Sequence, residues 1–444
     1  HNSVGKFINH YLARKQYGKA KGTIITSFII TFIVSMAVLF LLYYSSDFIA
    51  DEIFHIKGLG SVIAIFSIGI PFSVFSQLLK FYFFAFKKSE YVIISESLFE
   101  KILNLSLLIM IVFVTASLHI LSWAYVITLV ISSIIAALLL KLKILNAIKG
   151  KISGFNFKQL ISFSFPLMVT GILGVALAWT DTFFIAFFGS DADVGIYNTA
   201  YVIASALIIF WLSIGDIFYP IISELYSKKS KKAIKVTFET ASRWVFIPIL
   251  PIFAFVLVFP ARTLSLVFGQ AYLGAAMPLA ILIIGYFLTS FFGLAEQGLR
   301  TFKKTGFLGI ATTLALAGNA FLNIVLIPLY GITGAAMATT ITLFIVNTVK
   351  FFFFKSILNF SHNIVLYFKY IFSCAISLGL VLFTIKFFGL LSTLNFIIAI
   401  IVYFFLYYFL IIAFKSFSEE DIEVLEGIER KMKVNFGFVK RFIK

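Results

Sequence analysis

The stretch "IGDIFYPIISELYSKKSKKAIKVT" (residues 214–237) decides how the chain is read. It leaves an apolar run, crosses five lysines between 228 and 235, and heads into the next apolar run. The same alternation recurs along all 444 residues. Apolar runs of about 20 residues match the hydrocarbon thickness of a bilayer. Hydrophobic residues make up 61% and charged residues 12%, about half the charge that the surface of a soluble domain carries. Lipid is therefore the solvent, and a soluble enzyme is excluded. The net charge of +17 would suggest nucleic acid in a soluble protein. Here the basic residues fall in loops, so no nucleic-acid partner is expected. The 57 Phe read as lipid-facing filler. The single Cys374 excludes an internal disulfide and a Cys-based metal site.

The pattern predicts an all-α polytopic membrane protein with twelve spans, near 23–46, 61–86, 92–115, 119–141, 159–188, 194–222, 244–262, 274–299, 306–328, 333–354, 364–387 and 391–414. Polar chain is expected only at 142–158, 223–243 and after 415. That leaves no room for a soluble catalytic domain. With these spans, 32 of the 36 Lys and Arg fall on one side. Lys57, Arg262 and Lys386 fall on the other, with Asp47, Asp51, Glu52, Asp191 and Asp193, and Lys101 sits inside a span. The positive-inside bias makes the basic side cytoplasmic, with both ends of the chain on it. A multi-pass protein of the cell membrane is expected.

The lysine loop also belongs to an internal repeat. Lys19-Ala20 matches Lys232-Ala233 at an offset of 213, and Phe54 matches Phe268 at 214. "FKKSEY" (86–91) matches "FKKTGF" (302–307) at 216. Three matches at nearly one offset, each at the same topological place, indicate parallel six-helix repeats. Two spans precede the matching loop in the second half and none does in the first. The repeat thus predicts about two further helices, about 55 residues, before His1 and about fourteen spans in the intact protein. The expected organisation is a first lobe over 1–141, a linker over 142–158, a second lobe over 159–354, two added helices over 355–414 and a basic tail over 415–444.

Several stretches carry a family likeness. They are "WTDTFFIAFFGSDADVGIYNTAY" (179–201), "FGQAYLGAAMPLAILIIGYF" (268–287), "NAFLNIVLIPLYGITGAAMATT" (319–340) and "FSEEDIEVLEGI" (417–428). In order and spacing the chain resembles the polysaccharide flippases of the multidrug/oligosaccharidyl-lipid/polysaccharide exporter superfamily. The resemblance implies a two-lobed exporter fold and alternating access. It implies transfer of a polyprenyl-linked oligosaccharide from the cytoplasmic to the outer leaflet, for surface polysaccharide or glycan biosynthesis. It also implies no enzymatic activity, membrane lipid and glycan-assembly proteins as partners, and a monomer.

Charges inside spans are costly and point to function. Glu96 and Glu100 share one face of the third span, with Lys101 about 100° away. Asp181 lies in the fifth span beside Trp179, Thr180 and Thr182, on a helix that the resemblance assigns to the central cavity. Asn198 and Tyr201, three apart on the sixth span, suit sugar hydroxyls, and Asp216 lies toward its cytoplasmic end. Glu296 and Arg300 close the eighth span at the spacing of an ordinary helical ion pair. Asn319, Asn323 and Asn347 read as interhelical glue. Pro248, Pro251 and Pro260 are expected to bend the seventh span. "GITGAAMATT" (331–340) reads as small-residue packing, not a phosphate loop. Ser418 and Asp421 resemble a capping box opening an amphipathic tail helix. No metal site or cofactor is expected. Asp181 is placed to bind a coupling ion, H+ or Na+, between the lobes and within reach of Asn198 or Tyr201.

Two other functions compete. One is an ion-coupled drug exporter of the same superfamily. The other is a membrane glycosyltransferase or polymerase, which needs paired acids and a metal on a sizeable loop. The only such triplet, "DAD" at 191–193, falls on the acidic side. The charge split makes a direct prediction. In a Cys374→Ala background, a cysteine at position 231 should resist an impermeant thiol reagent applied to intact cells, and one at 191 should react.

Overall fold

The computed structural model describes residues 2–14, 16–86, 88–114, 117–144, 157–359, 364–388, 392–418 and 420–421. No strand occurs among them. A helix satisfies its own backbone groups, which is what lipid demands. The chain divides into two compact units, His1–Gly171 and Ile172–Lys444.

The first unit contains α1 (Asn2–Ala13), α2 (Tyr17–Phe48), α3 (Leu59–Ala85), α4 (Ser89–Val92), α5 (Lys101–Val114) and α6 (Leu118–Lys143). Leu78, Tyr82 and Phe83 of α3 are buried with Ile8, Ile24, Ala136 and Leu140 of α1, α2 and α6. The Tyr82 hydroxyl donates to the Ile24 carbonyl at 2.9 Å and meets the Ser27 hydroxyl at 2.7 Å. Between α4 and α5 the chain winds as a π-helix over Ile93–Glu100.

Helix α7 (Phe157–Phe188) runs across the boundary between the units. The second unit continues with α8 (Asp191–Ser205), α9 (Ile208–Ser227), α10 (Lys231–Val258), α11 (Pro260–Val267), α12 (Ala276–Thr301), α13 (Thr305–Tyr330), α14 (Ile332–Leu358), α15 (Ile364–Phe388) and α16 (Thr393–Ala413). Its centre is α12, whose Leu279, Leu282, Ile283, Leu294 and Leu299 are fully buried. Glycines let other helices close on it. A Cβ on Gly285 would meet the Thr340 Cα at 3.0 Å, and one on Gly293 would meet the Trp211 ring at 2.6 Å. Such small-residue contacts replace the hydrophobic drive that is missing between helices in lipid. In the predicted packing stretch, Gly334 lies against the backbone of Leu326 and Ile327.

Eleven helices among the described residues are long and apolar enough to cross a membrane. The difference from twelve lies at 92–115, where the π turn precedes a shorter apolar helix over Lys101–Met110. Glu96, Glu100 and Lys101 interrupt the apolar run there. The expected sixth span is two helices, broken at Ala206–Leu207. Around that break, hydrogen bonds reach back three residues instead of four, from Leu207 to Ala204 and from Ile209 to Ala206.

The seventh span also differs. Residues 231–243, expected in a polar loop, are the first turns of α10. Ile234, Phe238, Val245 and Ile249 form its buried stripe, a helical spacing that the lysines obscured. Pro260 does not bend this helix but starts α11, where a missing N–H costs nothing. Pro248 and Pro251 do lie inside α10. Without an N–H, Pro251 leaves the Ile247 carbonyl without its helical donor. The Tyr407 hydroxyl of α16 supplies the missing bond at 2.9 Å, and Tyr403 donates to the Pro251 carbonyl at 3.1 Å. Tyr403 and Tyr407 are both fully buried.

Tyr407→Phe should therefore lower the unfolding free energy in detergent by about 1–2 kcal/mol. In a Pro251→Ala background, where an N–H returns to position 251, the same substitution should cost less. Equal losses in both backgrounds would remove this account of how α16 is held.

Candidate functional site

The most buried acid within a described span is Asp181 of α7, 6% exposed. Four donors from three other helices surround its carboxylate. On Oδ2 it accepts from the Tyr197 hydroxyl of α8 at 2.5 Å and from the Thr339 hydroxyl of α14. On Oδ1 it accepts from Nδ2 of Asn323 at 2.8 Å and of Asn319 at 3.3 Å, both on α13. Asn323 also donates to the Asn319 Oδ1 at 3.1 Å, and Asn319 to the Thr339 hydroxyl at 3.1 Å.

Local sequence places each member. Asn319 and Asn323 are one turn apart and share a face of α13. Ser190 and Asp193 form a capping box that starts α8, which sets the phase of Tyr197 one turn later. Asp193 is thereby occupied as a cap. Thr339 emerges from the small-residue stretch that lets α13 and α14 close. The site thus lies where α7, α8, α13 and α14 meet, inside the second unit.

Chemically it is an oxygen-rich pocket with one formal charge. The Asn323 Oδ1 is buried without a hydrogen-bond partner. The carboxylate and hydroxyl oxygens of Asp181, Tyr197 and Thr339 are hard donors, a type that suits a proton or a small alkali cation better than a soft metal. Among the described residues, no group of three or more His, Cys, Asp or Glu could hold a metal ion.

The partner expected on the following helix is present, but it is Tyr197 rather than Asn198 or Tyr201. Tyr201 instead meets the Tyr286 ring edge-on at 5.9 Å. Asn198 is half-buried, Thr182 is half-buried and Asp216 is exposed. Asn319 and Asn323, read as glue, are direct ligands of the acid. Asn347 does act as glue, donating to Thr289 of α12 at 3.0 Å.

Two other charged sets stand apart from this pocket. In the first unit Lys101, largely exposed, lies 3.7 Å from Glu100, which also accepts from Ser132 of α6 at 3.5 Å. The Glu96 side chain lies outside the described side chains. In the second unit Arg300 pairs with Glu296 at 2.6 Å, as its spacing predicted. Glu296 has a second partner, Lys350 of α14, at 2.9 Å. Lys350 is 9% exposed.

A family described as polysaccharide biosynthesis protein matches residues 2–226. The chain is 29% identical over 194 residues to a protein of Haloferax volcanii named "Probable low-salt glycan biosynthesis flippase Agl15". That match covers 44% of this chain and 41% of the relative, so it spans less than half of that flippase. An uncharacterized membrane protein of Methanocaldococcus jannaschii is 25% identical over 378 residues, covering 80% of this chain and 72% of that one. Among solved structures, an inward-facing multidrug resistance MATE family transporter of the MOP superfamily gives a TM-score of 0.69 at 14% identity, covering 80% of this chain and 85% of that one. Lipid II flippase MurJ, in an inward closed conformation, gives 0.69 at 16% identity, covering 92% and 88%. At these identities the likeness shows a shared exporter fold.

The ligand set makes its own prediction. All four side chains present donors to Asp181, and Asp181→Asn would turn an NH2 toward them. It should cost about 1–3 kcal/mol of stability, read as a lower melting temperature, and Asp181→Leu should cost more. If the Asn variant melts like the unmodified protein, the four donors do not hold the acid as described.

Proposed function

This chain belongs to the polysaccharide biosynthesis protein family, and we propose that it is a flippase for polyprenyl-linked oligosaccharide. In this reading it is a flippase-type transporter of the MOP superfamily, and its eleven described helices that are long and apolar enough to cross a membrane support a multi-pass protein. In this reading it moves the saccharide from the cytoplasmic to the outer leaflet of the cell membrane by alternating access. Surface polysaccharide or glycan assembly consumes the product.

The observation that carries the mechanism is a carboxylate buried in a span and tied to three neighbouring helices. A charge is not kept at that depth for stability alone, because well-packed apolar residues in place of the acid and all four of its donors would cost less. Asp181 is the coupling residue in this reading. A proton or Na+ would be held by its carboxylate oxygens. Its bound charge would offset the carboxylate and weaken the hold on Tyr197 and Thr339. Those two side chains link α8 and α14 to α7. The same event would therefore change how firmly the three helices are joined, which is what a transporter needs to move between two openings.

Complementation tests this in the intact protein. The unmodified gene should restore surface glycan to a strain lacking its flippase. Per molecule of protein in the membrane, Asp181→Asn should export at least tenfold less, with lipid-linked oligosaccharide accumulating on the cytoplasmic side. Unchanged export by that variant would remove Asp181 from coupling. Drug efflux without glycan export would favour the exporter reading instead.

A further inference from the structure

Three helices of the second unit end in the same way. After α9, the Lys229 N–H donates to the Tyr226 carbonyl at 3.0 Å and the Ser230 N–H to the Leu225 carbonyl at 3.1 Å. After α12, Lys303 donates to Arg300 at 3.1 Å and Lys304 to Leu299 at 2.9 Å. After α16, Lys415 donates to Ile412 and Ser416 to Ile411, both at 3.0 Å. This pair of backbone bonds is the Schellman closure, and its closing residue turns left-handed. Lys229, Lys303 and Lys415 do so, with φ of 56°, 57° and 47°. Glycine takes this conformation without a steric penalty. A lysine there is strained, and such strain persists where something makes use of it.

The α16 turn is fastened by its surroundings. Lys369 of α15 donates to the Phe414 and Lys415 carbonyls at 2.8 and 3.2 Å. Beyond it, the buried Asp421 accepts from Arg243 of α10 at 3.1 Å, from Trp244 at 3.0 Å and from the Ser418 N–H at 2.8 Å. The last of these is one half of the expected capping box. Residues 422–444, expected to continue as an amphipathic tail helix, lie outside the described residues.

The other two turns lack such fastening. Among the described residues, neither the Lys229 nor the Lys303 side chain makes a hydrogen bond or an ion pair. The acids nearest in sequence are already taken. Glu224 pairs with Lys228 at 2.6 Å, and Glu296 with Arg300 and Lys350 at 2.6 and 2.9 Å. A helix dipole favours a cation near a C-terminus. Lys228 and Lys304 supply one next door without strain, at φ of −80° and −89°. The two turns also adjoin. The Tyr226 and Phe302 rings meet edge-on at 4.9 Å. Lys229, Lys231, Lys232, Lys303 and Lys304 of these turns are all exposed.

We propose that the adjoining turns after α9 and α12 form a binding site for the phosphate head group of an anionic phospholipid, with Lys229 and Lys303 as its central cations. Lysines at the ends of spans meet the head-group layer, and aromatic rings beside them suit the same layer. The strained backbone is then offset by a ligand outside the protein. The site does not depend on what the protein transports.

The test titrates dihexanoyl phosphatidylglycerol into the full chain in an uncharged detergent and follows the melting temperature. The temperature should rise saturably, and high salt should remove the rise. Dihexanoyl phosphatidylcholine and inorganic phosphate should give no rise. Lys229→Gly with Lys303→Gly keeps the closure geometry and removes the two cations. Without lipid this variant should melt no lower than the unmodified protein, and its midpoint for phosphatidylglycerol should move up at least fivefold. Lys229→Gln with Lys303→Gln should move the midpoint likewise. Lys57→Gln with Lys386→Gln, the same charge loss elsewhere, should leave it in place. An unchanged midpoint in both the glycine and the glutamine variants would overturn the site. So would an equal shift from the Lys57 and Lys386 pair, which would make the effect one of net charge. An equal rise from phosphatidylcholine or from inorganic phosphate would overturn the assignment to anionic lipid.

Discussion

A bilayer offers a buried polar group no partner, and the polar residues of this chain are arranged by that fact. Several polar or charged groups that enter a packed region draw partners from another helix. Pro251 strips a donor from its own helix, and a tyrosine of α16 returns one. Asp181 is matched by four donors from α8, α13 and α14, and Asp421 by Arg243, Trp244 and Ser418. These contacts cost little in packing. They specify which helix lies next to which, because an apolar surface alone fits many neighbours in lipid. Thr340 of α14 makes the same point without charge, donating to the Ile281 carbonyl of α12 at 2.9 Å.

Much of this architecture was legible in the sequence because the solvent is so restrictive. A helix in lipid must be long, apolar and closed on itself, so the spans could be read by length. Where the reading slipped, a local polar signal had been given the wrong cause. The lysines before α10 looked like a loop, although Ile234, Phe238 and Val245 already kept helical spacing. The acids near 96–101 were counted inside an ordinary span, and there the helix widens into π winding. Such windings occur often at functional positions, but nothing in local composition announces them. The break at Ala206–Leu207 has no proline to mark it.

The site was legible in one residue only. Asp181 stands out because an acid in an apolar run needs a reason. Its partners did not stand out. Tyr197 is 16 positions away, Asn323 is 142 and Thr339 is 158. The pairing is set by the folded bundle, not by spacing. Asn198 and Tyr201 were attractive because they are polar and close in sequence, but the capping box at Ser190 fixes the phase of α8 and turns Tyr197 inward instead. The asparagines of α13 were legible as polar residues that must be satisfied. That their partner is a carboxylate, and not another amide, could be learned only from the packing.

The two buried acids of the second unit illustrate different uses of the same chemistry. Around Asp421 the donors include a guanidinium, so the charge is neutralised within the protein. Nothing remains for a ligand to add, and the node behaves as a fixed joint. Around Asp181 the four donors are neutral, and Asn323 keeps a buried carbonyl oxygen without a partner. That carboxylate is solvated by dipoles but not paired with a cation. When ionised, that carboxylate is one positive charge short. A group left one charge short inside a low-dielectric bundle responds strongly to the arrival of that charge. A fully paired one does not. In the proposed reading, the difference between a joint and a switch is therefore the difference between Arg243 beside one carboxylate and two asparagines beside the other.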